Sequence, residues 1–369
     1  MELGPLVDHH CHSVVTADLT DAAFASLLTE SDRAPGPGST PWDSALGLAV
    51  RRWCPSALGL EPHAPAAAYL ARRRELGPAE ATARLLRAAD LDTCLIDTGL
   101  TAAAGAPLLD LPAFAAASTA RVREVVRLEQ VAEGVREGTG ARRFADDFTA
   151  ALEAATREAV AVKSILAYRH GLDIAPDRPA PAEVAAAAGA WLASPSASPR
   201  LDHPVLLRHL LWTAVDLGLP IQLHTGFGDP DLTLHRADPS LLAPFIRAAE
   251  PSGVPLVLLH CYPYHRQAAW LAQAFPQVHC DLGLTLSYTG AGATRVLGEF
   301  LELAPFDKVL FSTDAFGLPE LFTTGASAFR HAVGALLSDW IADGACAPAD
   351  AERIAGQITG ANARRLYLL

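Results

Sequence analysis

Near its N-terminus the chain reads Asp8-His9-His10-Cys11-His12, after a short apolar run. In an extended segment side chains repeat every two residues, so His10 and His12 point the same way. Both imidazoles could then reach one metal ion at about 2.0–2.1 Å, the usual zinc–nitrogen distance. Matching residues stand at the ends of other apolar runs: His224 closes Leu219–Leu223, His260 closes Val254–Leu259, and Asp314 follows Lys308–Thr313. Three or four histidine and carboxylate ligands with one open position let a metal lower the pKa of water from 15.7 to about 7. Asp314 is expected both to touch the metal and to take the water's proton, later delivering it to the leaving group. His260 is expected to ligate a second metal or to donate a hydrogen bond to a substrate carbonyl. Asp8 reads as a structural hydrogen-bond acceptor. His9, on the opposite side of the strand, reads as packing or support for its neighbours.

Such residues can meet only if strand ends are gathered on one face. A parallel barrel does this and places its chemistry at the C-terminal ends of the strands. Eight strand-like runs can be counted: 6–10, 94–97, 122–128, 160–166, 220–224, 255–260, 278–282 and 309–313. Ala/Leu-rich helical segments separate most of them, among them 239–250, 266–274 and 294–303. This alternation predicts an α/β fold, a (β/α)8 TIM-like barrel forming a single domain over 1–369. Two intervals are too long for loops. Residues 13–90, after strand one, hold a Pro/Gly/Ser-rich patch (34–41) and a helical stretch (66–89); residues 173–205, after strand four, hold a Pro/Ala/Ser-rich run. Each is expected to form a helical insertion, either walling the active face or packing away from it.

Composition narrows the function classes. Half of the residues are hydrophobic, enough for a large core, and the formal net charge is −12. That charge, with no basic stripe, argues against nucleic-acid binding and against an anionic membrane surface. No apolar run reaches the roughly 18 residues that suggest a membrane span. The opening Met-Glu-Leu-Gly-Pro has neither the basic start nor the apolar stretch of a secretory signal. The six cysteines are scattered with no CxxC pair and read as reduced thiols. A cytoplasmic enzyme with a small-molecule substrate, able to form a homo-oligomer, is the expectation.

The ordered features are HxH after strand one, Lys163 near strand four, His224 after five, His260 after six and Asp314 after eight. They resemble the amidohydrolase superfamily, and more closely its FluG or nodulin type, which is often fused to or encoded beside glutamine-synthetase-like proteins. Val7–His12, Ile96–Gly99, Arg127–Glu129, Lys163–Arg169, Gln222–Asp229 and Ser312–Asp314 carry the resemblance across nearly the whole chain. It implies one or two divalent metals held by His10, His12, His224 and Asp314, with His260 and Lys163 as further ligands. Lys163 would be carboxylated and bridging in a two-metal site; otherwise its ammonium binds an anionic substrate or forms an ion pair. Zinc suits the ligands best, and manganese or iron(II) suits them too.

Arg127, Glu129, Tyr168, Arg169 and His265 follow strand ends and are the candidate substrate contacts. An Arg–Glu pair could hold an amino-acid-like molecule, Arg on its carboxylate and Glu on its ammonium, or could be a salt bridge of the scaffold. The leading expectation is hydrolysis of an amide C–N bond, with a γ-glutamyl amide suggested by the glutamine-synthetase association. Non-oxidative decarboxylation or C–C hydrolysis is the second reading, and a non-catalytic binding protein the third.

Overall fold

The computed structural model describes residues 3–194 and 200–369. The chain forms two compact units. The first comprises Met1–Arg123, Gly228–Pro230 and Asp281–Leu369; the second comprises Glu124–Phe227 and Asp231–Cys280. The fold is α/β.

In the first unit β1 (Leu6–Cys11) and β2 (Leu91–Asp97) pair in parallel, with Asp8 opposite Cys94 and Cys11 opposite Ile96. Every residue of β1 is buried. A small hairpin that the sequence did not announce, β3 (Ala102–Ala103) with β4 (Ala106–Pro107), follows β2. The expected eighth strand, 309–313, is not a regular strand, although it runs beside β1. The His9 N–H donates to the Phe311 carbonyl (3.1 Å), the Asp314 N–H to that of His10 (3.0 Å) and the His12 N–H to that of Ala315 (2.8 Å). Between them the Thr313 N–H turns to the Asp8 carboxylate at 3.0 Å. One side-chain acceptor has captured a rung of the ladder.

The helical stretch expected over 66–89 comprises two helices, Ala66–Leu76 and Pro78–Ala88. Gly77 sits at φ 79° between them, and Pro78 can start a helix but not continue one. These helices pack beside Pro319–Asp343, a helix of 25 residues. Arg73 reaches the fully buried Glu320 carboxylate at 2.9 Å and Tyr69 donates to the same oxygen at 3.1 Å. Trp42 stacks on Phe24 at 5.4 Å.

The second unit carries β5 (Arg121–Arg127, from Glu124 onward), β6 (Ala161–Ser164), β7 (Ile221–Thr225), β8 (Leu256–His260) and β9 (Val278–Cys280), all in parallel order. Strand β6 ends earlier than the predicted 166 because Leu166–Arg169 turns into a helix. Gly226 (φ 79°) lets the chain leave β7 tightly: a Cβ there would lie 2.3 Å from the Tyr262 carbonyl oxygen. In the 173–205 interval, helix Pro181–Leu192 buries Trp191 against Phe144, ring centroids 5.8 Å apart. The Pro/Ala/Ser-rich run falls partly on 195–199, outside the described residues. Among the described residues no helix is long and apolar enough to cross a membrane, and all six cysteines are free.

Candidate metal centre

The first unit assembles three of the expected ligands. His10 and His12 leave β1 on one face, as the two-residue period requires, and Asp314 arrives from the segment beside it. Their ligand atoms all lie within 4.8 Å of one another. The Asp314 Oδ1 is 3.1 Å from the His10 Nε2 and 3.6 Å from the His12 Nε2. Ligands about 2.0–2.1 Å from a tetrahedral ion stand roughly 3.4 Å apart, so the donor set fits a divalent cation. The His12 Nδ1 lies 3.2 Å from the Asp97 carbonyl oxygen. A proton donated there leaves the Nε2 lone pair for the metal, the usual way a ligating imidazole is oriented.

The carboxylate is placed with some strain. Asp314 adopts φ 50°, a left-handed conformation that non-glycine residues rarely take and that costs about 1–3 kcal/mol. Asp8 stabilises the neighbouring backbone, accepting from both the Thr313 N–H (3.0 Å) and its hydroxyl (2.5 Å). Burial nevertheless pushes the Asp8 carboxyl up to about 8, against those two bonds and with the Asp314 charge adding to the rise. His9 faces the other way, with Nε2 2.7 Å from Asp281 and Nδ1 3.0 Å from the Tyr367 hydroxyl. Ser312 donates to the same Asp281 oxygen at 2.5 Å. Asp8 therefore ties the ligand strand to the segment that brings Asp314, and His9 braces it from the opposite face. Asp281 and Tyr367 were not singled out from sequence, although Asp281 directly follows an apolar strand.

The second unit brings His224 and His260 together at the ends of adjacent strands, where Thr225 pairs with His260, and their ring centroids are 4.8 Å apart. His260 sits at φ 68°, a second left-handed ligand-type residue at a strand end. The Tyr168 ring lies 4.4 Å from that of His224. Lys163 is buried in β6, between Arg127 on β5 and Gln222 on β7. Glu129 is engaged: its Oε1 accepts from the Ser164 hydroxyl (2.6 Å) and the Ile165 N–H (3.0 Å), tying the chain beyond β6, and burial raises its pKa. Arg169 lies 3.2 Å from Glu133 through Nη2, while its Nε and Nη1 are buried with no hydrogen-bond partner among the described residues. Burial lowers the pKa of Arg169, and nearby Arg200 and Arg127 lower it further. His265 begins helix His265–Ala274, its Nδ1 3.1 Å from the Pro263 carbonyl and its ring stacked on Tyr262 at 5.5 Å.

The model of the family described as Amidohydrolase matches residues 7–369. Protein fluG of Emericella nidulans is 32% identical over 241 residues, which is 61% of this chain and 28% of that protein. The chain thus matches under a third of the length of that relative. Among solved structures, a protein assigned as a metal-dependent hydrolase from Lactobacillus casei is 28% identical, with TM-score 0.87 over 99% of this chain and 95% of that one. A uronate isomerase from Thermotoga maritima shares the fold at 13% identity, with TM-score 0.62 over 98% and 94% of the two chains. The chain belongs to the amidohydrolase family and is an enzyme of the metal-dependent hydrolase type.

Proposed function

We propose that this enzyme hydrolyses an amide C–N bond in an amino-acid-like substrate, with γ-glutamyl amides the first class to test. The observation that carries the reading is Asp314, whose carboxylate stands within reach of two oriented imidazoles at a strained backbone position. A divalent ion, zinc before manganese or iron(II), would be held by His10, His12 and Asp314, and would acidify water toward neutral pH and polarise a carbonyl. Asp314 takes the water's proton and returns it to the departing amine. His224, His260 and Lys163 stand as proposed further ligands, with His260 also a hydrogen-bond donor to the substrate carbonyl. Arg127, Glu129, Tyr168, Arg169 and His265 are the proposed substrate contacts. Arg169 is suited to an anionic group because two of its guanidinium nitrogens have no hydrogen-bond partner among the described residues. The parallel strands and helices support a (β/α)8 barrel with insertions at 13–90 and 173–205; a cytoplasmic location is part of the proposal.

The test is direct. Protein purified without chelator is analysed for bound metal, then assayed on L-γ-glutamyl-p-nitroanilide before and after chelation. Amine release that is lost on chelation and restored by zinc supports the proposal. Carbon dioxide release from carboxylic-acid substrates, with no amide turnover, would replace it by decarboxylation.

A further inference from the structure

Asp281 is fully buried and holds two segments through a single oxygen. Its Oδ2 lies 2.7 Å from the His9 Nε2 and accepts from the Ser312 hydroxyl at 2.5 Å. His9 directly precedes the ligand His10, and Ser312 stands two residues before the ligand Asp314. One carboxylate oxygen thus joins near neighbours of the ligands on both segments. An ionised carboxylate only accepts, so the His9 Nε2 carries a proton. In the neutral ring Nδ1 then accepts from the Tyr367 hydroxyl at 3.0 Å. The Tyr367 ring also stacks on that of His9, with centroids 5.8 Å apart and planes 19° from parallel. His9 is therefore held at both nitrogens and across its face.

The backbone leaves these side chains something to do. Segment 311–315 runs beside β1, but the Thr313 N–H goes to the Asp8 carboxylate instead of a strand carbonyl. Asp8 and His9 are consecutive in an extended strand and so face opposite ways. Asp8 takes hold of Thr313 directly, and His9 is linked through Asp281 to Ser312. The spacing under their control is tight: the Asp314 Oδ1 is 3.1 Å from the His10 Nε2 and 3.6 Å from the His12 Nε2. A working constellation of this kind tolerates only about 0.5 Å of misplacement. A scaffold role alone is a poor account of Asp281. Burying a carboxylate is costly, and apolar side chains would join two segments at less cost.

We propose that Asp281 is a positioning residue for the metal centre. By joining His9 to Ser312 it sets the spacing between the His10–His12 strand and Asp314, and Tyr367 keeps the His9 ring aligned for that bond. Asp281 is not itself among the candidate ligands. The assignment rests on His10, His12 and Asp314 holding a divalent ion, and it does not depend on which bond the enzyme cleaves.

The test uses the full chain, stripped with a chelator and reloaded with zinc or cobalt(II). Three quantities are read: the metal Kd by competition with a chelating dye, the visible absorption bands of bound cobalt, and the melting temperature of the metal-free protein. Asp281→Asn keeps the shape but loses the charge that draws both donors. It should weaken metal binding by about tenfold or more, as loss of outer contacts around a metal site typically does, and shift the cobalt bands. Ser312→Ala and Tyr367→Phe each remove one contact and should weaken binding by smaller factors. Thr323→Val is the scaffold control, because it removes a buried hydrogen bond to the Leu85 carbonyl (2.7 Å). It should lower the melting temperature and bind metal as wild type does. If Asp281→Asn behaves like that control, with a lower melting temperature but wild-type Kd and cobalt bands, the positioning role is overturned. Should Asp281→Asn fail to fold, wild-type Kd and bands in both Ser312→Ala and Tyr367→Phe would overturn it equally. Wild-type protein that takes up neither ion would reject the metal centre itself, and the positioning role with it. Tight binding shared by wild type and all three variants would reject the positioning role alone.

Discussion

Asp314 combines two demands that pull on one side chain: it must sit close enough to two imidazoles to share a cation, and it must stay basic enough to take a proton. Asn nearly preserves its shape but cannot accept that proton. Asp314→Asn is therefore expected to lower kcat by at least about 10²–10⁴-fold, the usual worth of a general base, while far-UV circular dichroism stays that of wild type. Activity within about threefold of wild type would refute the role. Arg169 supplies a separate test. Two of its guanidinium nitrogens, Nε and Nη1, lack hydrogen-bond partners among the described residues, and the third, Nη2, meets Glu133. Lysine keeps the charge but loses the planar fork. If Arg169 holds a substrate carboxylate, Arg169→Lys should cost about 2–5 kcal/mol in kcat/KM with little change in melting temperature. A lower melting temperature with normal kinetics would instead mark a scaffold ion pair.

At the scale of elements, the helices after β1 depend on a buried ion pair. Arg73 and Glu320 are 2.9 Å apart, and the Glu320 side chain is fully buried. Arg73→Met would strand that carboxylate, and loss of one partner of a buried pair typically costs about 3–5 kcal/mol. Thermal or urea unfolding should show that loss; a change under about 1 kcal/mol would mean the pair is not holding these helices. In the second unit the helix Pro204–Leu217 carries His209 into the aromatic layer of Phe144 and Phe148. Burial, with help from the Arg178 charge, lowers its pKa below the usual 6.5. The unfolded chain then binds a proton that the folded chain refuses, so stability is full above about pH 6.5 and falls as pH drops toward the depressed value. His209→Phe should flatten the decline in melting temperature between about pH 7 and 5. An identical slope in the variant would assign the acid sensitivity to other groups.

For the whole molecule, the metal should act as part of the fold as well as of the chemistry. A ligand that binds only the native state stabilises it by about 2.7 kcal/mol at a hundredfold excess over its Kd. Chelation should lower the melting temperature by several degrees, and zinc should restore it. His12→Ala should show the lower value from the start and a reduced metal content. A melting curve indifferent to chelation, after metal loss is verified by elemental analysis, would remove the ion from the structural account.

Sequence alone determined what depends on local geometry. The shared face of His10 and His12 follows from the strand period, and the opposite aspect of His9 follows from the same rule. Runs ending in His224 and His260 announced two adjacent strands of the second unit, and the ordered ligand types carried the family. Tertiary structure decided what depends on distant partners. Residues 309–313 look like a strand by every local measure, yet Asp8 intercepts the Thr313 N–H and breaks the ladder. Residues 66–89 read as a helical stretch, and in the structure Gly77 and Pro78 divide it into two helices. Glu30 left no periodic or motif signal. Its hydrogen-bond partner is the Tyr288 hydroxyl, 258 residues away. Local spacing can specify which way a side chain points. The charges and donors it then meets are set by how the chain returns to it.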